Sequence, residues 1–264
     1  MVFVAETFAD ALANTRLNRV PFAKMPDENR PADQPQGYSV QPLLHARLGR
    51  AGQGHRAGYK IGCTTKVMQQ YLDIAQPCAG GIMANTIHHR FCEAAFDDYC
   101  RVGVECEIAV AMAMDLIVEP RQPLKVADVE PYVGEYMAAI EIVDDRYVEY
   151  TDMDTPTLIA DDFFGAGCVL AKGTMGTRSF NLPEARGRMV INDTEVGSGG
   201  GAAILGHPLN ALCWLVRFLA GSGQGVKAGE VIMLGSIVQT QWLSRGDHVV
   251  VEVEGLGQTQ ARFA

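Results

Sequence analysis

The most constraining stretch is Val104–Met112, VECEIAVAM, where two glutamates at i and i+2 interrupt an apolar run. Successive strand side chains point to opposite faces. Val104, Cys106, Ile108, Val110 and Met112 then share one face, and Glu105 and Glu107 share the other with Ala109, Ala111 and Ala113. Two carboxylates so placed lie roughly 6–7 Å apart. Alternation of this kind is, taken alone, the pattern of a strand with one face in water. Here the glutamate face continues in alanines, and two charges on such a face are costly unless something positive joins them. A hard divalent cation, Mg²⁺ or Mn²⁺, meets that need because it favours carboxylate oxygens.

A second apolar strand, around MAAIEIV, carries the lone carboxylate Glu141 on the face of Met137, Ala139 and Val143. It needs a partner, either Arg101 or Arg146 or the same cation. Lys60 sits in the glycine-bounded strand GYKIG. Such a lysine either reaches along the surface to water or is a paired group able to move a proton.

The rest of the chain suits one large domain with a small N-terminal appendage. The sequence has 264 residues, 48% of them hydrophobic, enough for a sizeable core. The net charge of −9 comes without a basic block, which argues against nucleic acid and anionic membrane as partners. No apolar run reaches bilayer length, and the N-terminus lacks the basic start of a signal peptide. Seven cysteines without a C-x-x-C read as reduced, buried thiols of a cytosolic protein.

Helices are expected over 5–18, about 37–50, 64–72, 125–134 and 207–220, the last opened by His207-Pro208 and stopped by Gly221. Strands are expected over 58–62, 104–114, 136–143, 167–171, 230–234 and 248–254, the last turning back at 255–257 into 258–263. A hairpin is expected at 188–196 around Asn192-Asp193. Segments 20–37, 76–81, 155–164 and 197–201 read as loops, and the glycine-rich 197–201 lacks the strand–loop–helix context of a dinucleotide site. Hairpin-linked strands after residue 100 point to an α+β fold rather than a doubly wound sheet.

The ordered segments GYKIGCTTKVMQQYL, RVGVECEIAVAMAMDL, AAIEIVDDRY, ADDFFGAGCVLAKG, GGGAAILGHPLNALCWLVRFLA and AGEVIMLGS resemble the 2-keto-4-pentenoate hydratase / 4-oxalocrotonate decarboxylase branch of the fumarylacetoacetate hydrolase superfamily. The resemblance implies a mixed β-sandwich or roll core, with residues 1–55 as a helical appendage and 56–264 as the catalytic domain. It implies a divalent metal, Mg²⁺ or Mn²⁺, on Glu105, Glu107 and Glu141, and places Lys60 on the lysine of the family's K-I-G motif. Hydrolase branches carry an aspartate where Glu141 stands and a T-G-T-P-like turn where this chain has Leu234-Gly235-Ser236. Both differences favour the hydratase/decarboxylase branch. Two departures stand out: Cys78 replaces an acid of the loop after the K-I-G helix, and Asp162 and Phe164 replace an amide and a small polar residue.

The expected activity is a metal-dependent lyase hydrating a short 2-hydroxydienoate or 2-oxo-enoate such as 2-oxopent-4-enoate. Lys60 moves a proton between enol oxygen and carbon, and Asp162 positions the water. Thr64 and Thr65 cradle the substrate carboxylate at a helix start, and Gly235 and Ser236 contact substrate. The alternatives are decarboxylation of a 2-oxo-enedioate, C–C hydrolysis of an acylpyruvate, and a catalytically silent binding relative. The expected partners are a small 2-oxo acid and further copies of the chain in a homo-oligomer.

Overall fold

A computed structural model describes residues 3–175 and 180–264. In chain order, α1 (Ala5–Asn18), α2 (Gln34–Leu48), β1 (Arg56–Gly62), α3 (Lys66–Tyr71), β2 (Cys78–Met83), β3 (Ile87–His89), β4 (Phe91–Ala94) and β5 (Val102–Met112) come first. Then follow α4 (Val126–Val129), β6 (Val133–Asp144), α5 (Thr155–Ala160), β7 (Gly165–Leu170), β8 (Thr174–Met175), β9 (Arg186–Ile191) and β10 (Thr194–Gly200). The last elements are α6 (Pro208–Ala220), β11 (Val231–Trp242), β12 (His248–Val253) and β13 (Gly257–Phe263).

The strands form two mixed sheets, in keeping with an α+β fold. The larger runs β2-β1-β11-β5-β6-β7-β3, with β8 beside β6, and the smaller runs β10-β9-β12-β13-β4. The apolar face of β5 meets the smaller sheet at close range. A Cβ on Gly187 would lie 2.2 Å from Ile237 Cδ1 and 3.2 Å from Cys106 Sγ, so a larger residue there would have to push the Ile237 side chain aside. Val104, Cys106 and Ile108 join Met189, Val249, Val251 and Ala261 in one core, and each large apolar side chain fully buried there contributes about 2 kcal/mol. The opposite face of β5 is the one that carries the glutamates.

A second cluster lies on the N-terminal side. Phe8 and Leu12 of α1, Leu44 and Leu48 of α2 and Ile159 of α5 pack with Cys63, Cys78 and Phe163. α2 begins at Gln34, earlier than its apolar periodicity suggests, because Asp33 accepts from the Gln36 N–H and Pro35 fits the first turn. None of the seven cysteines is in a disulfide.

Several segments differ from the sequence-based expectation. Residues 76–81 are not a loop: 78–83 form β2, antiparallel to β1. The helix expected over 125–134 shortens to α4 and a 3₁₀ turn at Glu130–Tyr132, leaving Val133 to open β6. The segment expected as a loop at 155–164 holds α5, capped by Asp154. Strand β11 does not stop at Leu234 but runs to Trp242 through three register shifts against β5. The glycines of 197–201 belong mostly to β10, and they let it lie flat on β11: a Cβ on Gly199 would sit 2.1 Å from the Ile237 carbonyl oxygen. Asn192 and Asp193 both take positive φ, as a two-residue hairpin turn requires. The stretch Gly201–Ala220 is long and apolar enough by composition to span a bilayer, contrary to expectation, yet more than half of its apolar window is buried. It splits into a 3₁₀ turn and the 13-residue α6, a helix about 20 Å long, shorter than a hydrocarbon core.

Candidate active site

Four adjacent strands bring the charged residues together. In the β5–β6 ladder Glu105 pairs with Glu141 and Glu107 with Ala139. Across β11, Ser236 pairs with Glu107 and Met233 with Ala109, and Lys60 of β1 pairs with Met233. Register alone therefore sets three glutamates and a lysine on one sheet face. One oxygen from each of Glu105, Glu107 and Glu141 lies within 4.8 Å of the others. Oxygens bound to a single cation are at most two bond lengths apart, about 4.2 Å for Mg²⁺ and about 5 Å for Ca²⁺. The cluster needs to close by roughly half an ångström at most to hold either ion.

Each carboxylate is held differently. Glu107, 1% exposed, accepts a hydrogen bond from the Gly235 N–H at 2.8 Å. Glu105 is half-buried and accepts from the Thr240 hydroxyl. Glu141, 3% exposed, has Lys60 Nζ 3.0 Å from its Oε1. That approach is an ion pair without hydrogen-bond alignment, and Oε1 has no hydrogen-bond donor among the described residues. A buried carboxylate oxygen whose one partner is an unaligned ammonium, beside two further carboxylates, has a lone pair to offer a cation.

The electrostatics agree. Burial, then the charges of Glu141 and Glu105, push Glu107 well above the usual carboxylate range. Burial also raises Glu141, offset in part by Lys60, to about 6. Burial alone would lower Lys60, but Glu141, Glu105 and Glu107 outweigh it and hold the ammonium protonated. Three carboxylates against one ammonium leave two negative charges, matched by one divalent cation. The all-oxygen donor set suits a hard ion. The residues fit the metal that the sequence implies.

Lys60 and Glu141 also line a cavity of about 340 Å³ that extends past Gly165 to Arg16 and Arg146. Both arginines are engaged. Arg16 pairs with Asp161 at 2.7 Å and with Asp162 at 3.0 Å, and Arg146 pairs with Asp161 at 2.9 Å.

The other expected site residues divide. Thr64 is buried beside Gly235, where an added Cβ would meet its Oγ1 at 2.5 Å. Thr65 caps the six-residue α3 by accepting from the Met68 N–H, so its hydroxyl serves the helix. Gly235 and Ser236, expected as substrate contacts, make hydrogen bonds within the sheet. The Gly235 N–H is taken by Glu107, and Ser236 Oγ donates to the carbonyls of Cys106 and Val238, stitching the β11 bulge. Asp162 is not placed to position a water. It is fully buried, and its oxygens are taken by His45 Nε2 at 2.9 and 3.0 Å, Arg16, and the Gly81 N–H at 2.8 Å. Cys78 supplies no acid, because its contact with Cys63 and its burial keep the thiol neutral.

Sequence reasoning missed Thr240, Arg16 and His45. Thr240 carries a readable signal in retrospect, a hydroxyl on the strand next to a half-buried glutamate, but only once β11 is known to continue past Leu234. Arg16 and His45 lie on helices far along the chain from Asp162 and carry none.

Comparison with known proteins adds to this picture. The model of the fumarylacetoacetate (FAA) hydrolase C-terminal domain matches residues 90–264. A TodF product hydratase of Pseudomonas putida F1 is 34% identical over 227 residues, covering 86% of this chain and 83% of the relative. A 2-keto-4-pentenoate hydratase of Dechloromonas aromatica is 29% identical, covering 92% of this chain and 91% of its own. Among solved structures, 4-oxalocrotonate decarboxylase from Pseudomonas putida G7, complexed with magnesium and adipate, superposes with a TM-score of 0.90 at 24% identity, covering 98% of this chain and 97% of that one.

Proposed function

The chain belongs to the fumarylacetoacetate hydrolase family, and from that premise we propose that it is a divalent-metal-dependent hydratase of a short 2-oxo acid, of the 2-oxopent-4-enoate type. The observation that carries the reading is the Glu105–Glu107–Glu141 cluster with Lys60 3.0 Å from Glu141 Oε1. Hydratase relatives spanning most of the chain support the same chemistry, and the magnesium in a relative of the same fold supports the choice of ion.

Glu105, Glu107 and Glu141 would hold Mg²⁺ or Mn²⁺, which supplies Lewis acidity toward a chelated carboxylate and 2-oxo oxygen. The protonated Lys60 steadies negative charge developing on the enol oxygen and moves a proton between that oxygen and carbon. The apolar surroundings of Lys60, including Phe163 with its ring centre 5.9 Å from Nζ, strengthen that charge interaction by excluding water. Thr64, buried next to Gly235, is a candidate contact for the substrate carboxylate. Net addition of water to the conjugated alkene gives a 4-hydroxy-2-oxo acid.

The second reading is decarboxylation of a 2-oxo-enedioate, supported by the decarboxylase of the same fold. Arg16, Arg19 and Arg146, the arginines along the cavity beside Lys60, are each paired with an aspartate, Arg19 with Asp98 at the exposed rim, and this speaks for the hydratase because it leaves little charge for a second substrate carboxylate. The reading carries with it a cytoplasmic, homo-oligomeric enzyme in which 1–55 is a helical appendage to the catalytic 56–264.

The test is a side-by-side assay with Mg²⁺ of 2-hydroxypenta-2,4-dienoate and 2-oxohex-3-ene-1,6-dioate, followed by ultraviolet loss and by CO₂ release. Preferential turnover of the dienoate without CO₂ supports hydration. CO₂ release from the dioate at a higher kcat/KM overturns it.

A further inference from the structure

The N-terminal helices reach the active site through a buried polar cluster. Asp161 and Asp162 end α5. Asp161 Oδ1 pairs with Arg16 Nε of α1 at 2.7 Å. Its Oδ2 accepts from Arg146 at 2.9 and 3.1 Å and from the Tyr147 hydroxyl at 2.9 Å. The Asp161 carbonyl accepts from Arg16 and Arg146. Asp162 is held by His45 of α2, Arg16 and the Gly81 N–H. Gln41, one turn before His45, donates to the carbonyls of Ala79 and Ile159 at 2.8 Å each. The contacts of Arg16, Gln41 and His45 tie the helices of the first 50 residues to the segment 159–162 and to β2, while Arg146, Tyr147 and Gly81 hold the same two aspartates from the core side.

What this clasp fixes lies against Lys60. Asp162, Phe163 and Phe164 all take left-handed φ, at 53°, 51° and 66°. Three such residues in succession persist only where the surroundings over-determine them. The turn places the Phe163 ring over Lys60 and brings Gly165 to the lysine stem, so that a Cβ there would lie 3.7 Å from Lys60 Cε. On the other side, Lys60 pairs in register with Gly80, where a Cβ would lie 2.7 Å from the Asp162 carbonyl oxygen. Lys60 is thus walled by the turn and by the β2 segment that Asp162 holds.

We propose that His45 and Arg16 are positioning residues for Lys60, acting through Asp162 and the left-handed turn 162–164. They touch neither the metal cluster nor Lys60. They fix the wall that sets where the ammonium stands, which makes the N-terminal helices part of the catalytic apparatus rather than a stabilising cover. The proposal rests on the assignment of Lys60 as the proton-moving group.

The test compares full-length His45→Leu, His45→Gln and Arg16→Lys with wild type in two measurements. The first is the rate at which an amine-acylating reagent labels Lys60, read by peptide mass spectrometry, which needs no substrate. His45→Leu is expected to raise Lys60 labelling at least threefold, while His45→Gln, which keeps one N–H donor for Asp162, stays near wild type. Arg16→Lys keeps a charge near Asp161 and Asp162 and falls between. The second is turnover of 2-hydroxypenta-2,4-dienoate: kcat drops at least tenfold in His45→Leu with KM and Mg²⁺ affinity within twofold, and His45→Gln restores most of it. Unchanged Lys60 labelling in folded His45→Leu overturns the proposal, as does equal loss in the Leu and Gln variants. Raised labelling in a protein whose wild type turns over no dienoate leaves the positioning role standing and sinks the hydratase reading instead.

Discussion

Replacing Glu107 by Gln separates the metal reading from a structural role for the cluster. Glu107 is 1% exposed and faces two other carboxylates. Its carboxyl is pushed well above the usual range, first by burial and then by Glu141 and Glu105. A raised folded-state pKa means that the folded chain binds the proton more tightly than the unfolded chain. Above the unfolded value of about 4.3, the group therefore opposes folding. The amide removes that opposition and still accepts from the Gly235 N–H, so metal-free Glu107→Gln melts no lower than metal-free wild type. Added Mg²⁺ acts in the other direction. At one hundred times its Kd, a cation bound only by the folded state stabilises by about 2.7 kcal/mol. At about 2–3 °C per kcal/mol for a chain of this size, wild type gains roughly 5–8 °C. Glu107→Gln loses one of three carboxylates and half of the excess negative charge, and its gain should fall below about 1 °C at the same Mg²⁺ concentration. Differential scanning calorimetry at pH 8, with chelator and with Mg²⁺, reads both quantities. A variant that keeps the full Mg²⁺ shift, or whose metal-free form melts many degrees lower, refutes the argument.

Two further outcomes follow from the same geometry. Gly235→Ala forces a Cβ to 2.5 Å from Thr64 Oγ1 at a φ of 137°, which displaces the N–H that holds Glu107; Mg²⁺ affinity by calorimetric titration should fall roughly 10–100-fold with about 1–3 kcal/mol lost in urea unfolding, and unchanged affinity would count against the Gly235–Glu107 contact. Burial alone would raise Asp162, but His45 and Arg16 hold it far below the usual carboxylate range, so its stabilisation is complete above its unfolded value of about 3.9 and is lost as pH falls toward its folded one; the stability gap between wild type and Asp162→Asn should be widest above about pH 5 and shrink toward pH 2, and a gap that is constant with pH would refute the ionic account.

The parts of the fold that could be read from sequence are those set by local pattern. The alternation in β5, the capped amphipathic α6 and the Asn192-Asp193 hairpin each depend on neighbours within a few residues. The misread segments are those decided by distant partners. The glycines of 197–201 look like a loop until β11 is laid beneath them, where their missing side chains allow contact between backbones. Strand β11 looks finished at Leu234 because Gly235-Ser236 reads as a turn, yet pairing with β5 resumes at Ser236 and Val238. The segment 78–83 carries two glycines and no clear alternation, and it becomes a strand because β1 offers it a partner.

The site divides along the same line. Glu105, Glu107, Glu141 and Lys60 were legible because a charge inside an apolar strand needs an explanation wherever it occurs. Thr240, which holds Glu105, and Arg16 and His45, which hold Asp162, were not, because each is ordinary in its own stretch. Asp162 shows the cost of reading one side of a pair: a carboxylate where an amide was expected suggested a free acid, and its partners lay more than 100 residues away on α1 and α2. Cys78 has the opposite consequence. With a neutral thiol at that position, the carboxylates that act on Lys60 are those of the metal cluster alone. Lys60 and a cation must then share Glu141, whose Oε1 lies 3.0 Å from Nζ and has no other donor among the described residues. A cation held by Glu141 would draw on the same carboxylate charge that holds the Lys60 ammonium, and would so weaken that hold.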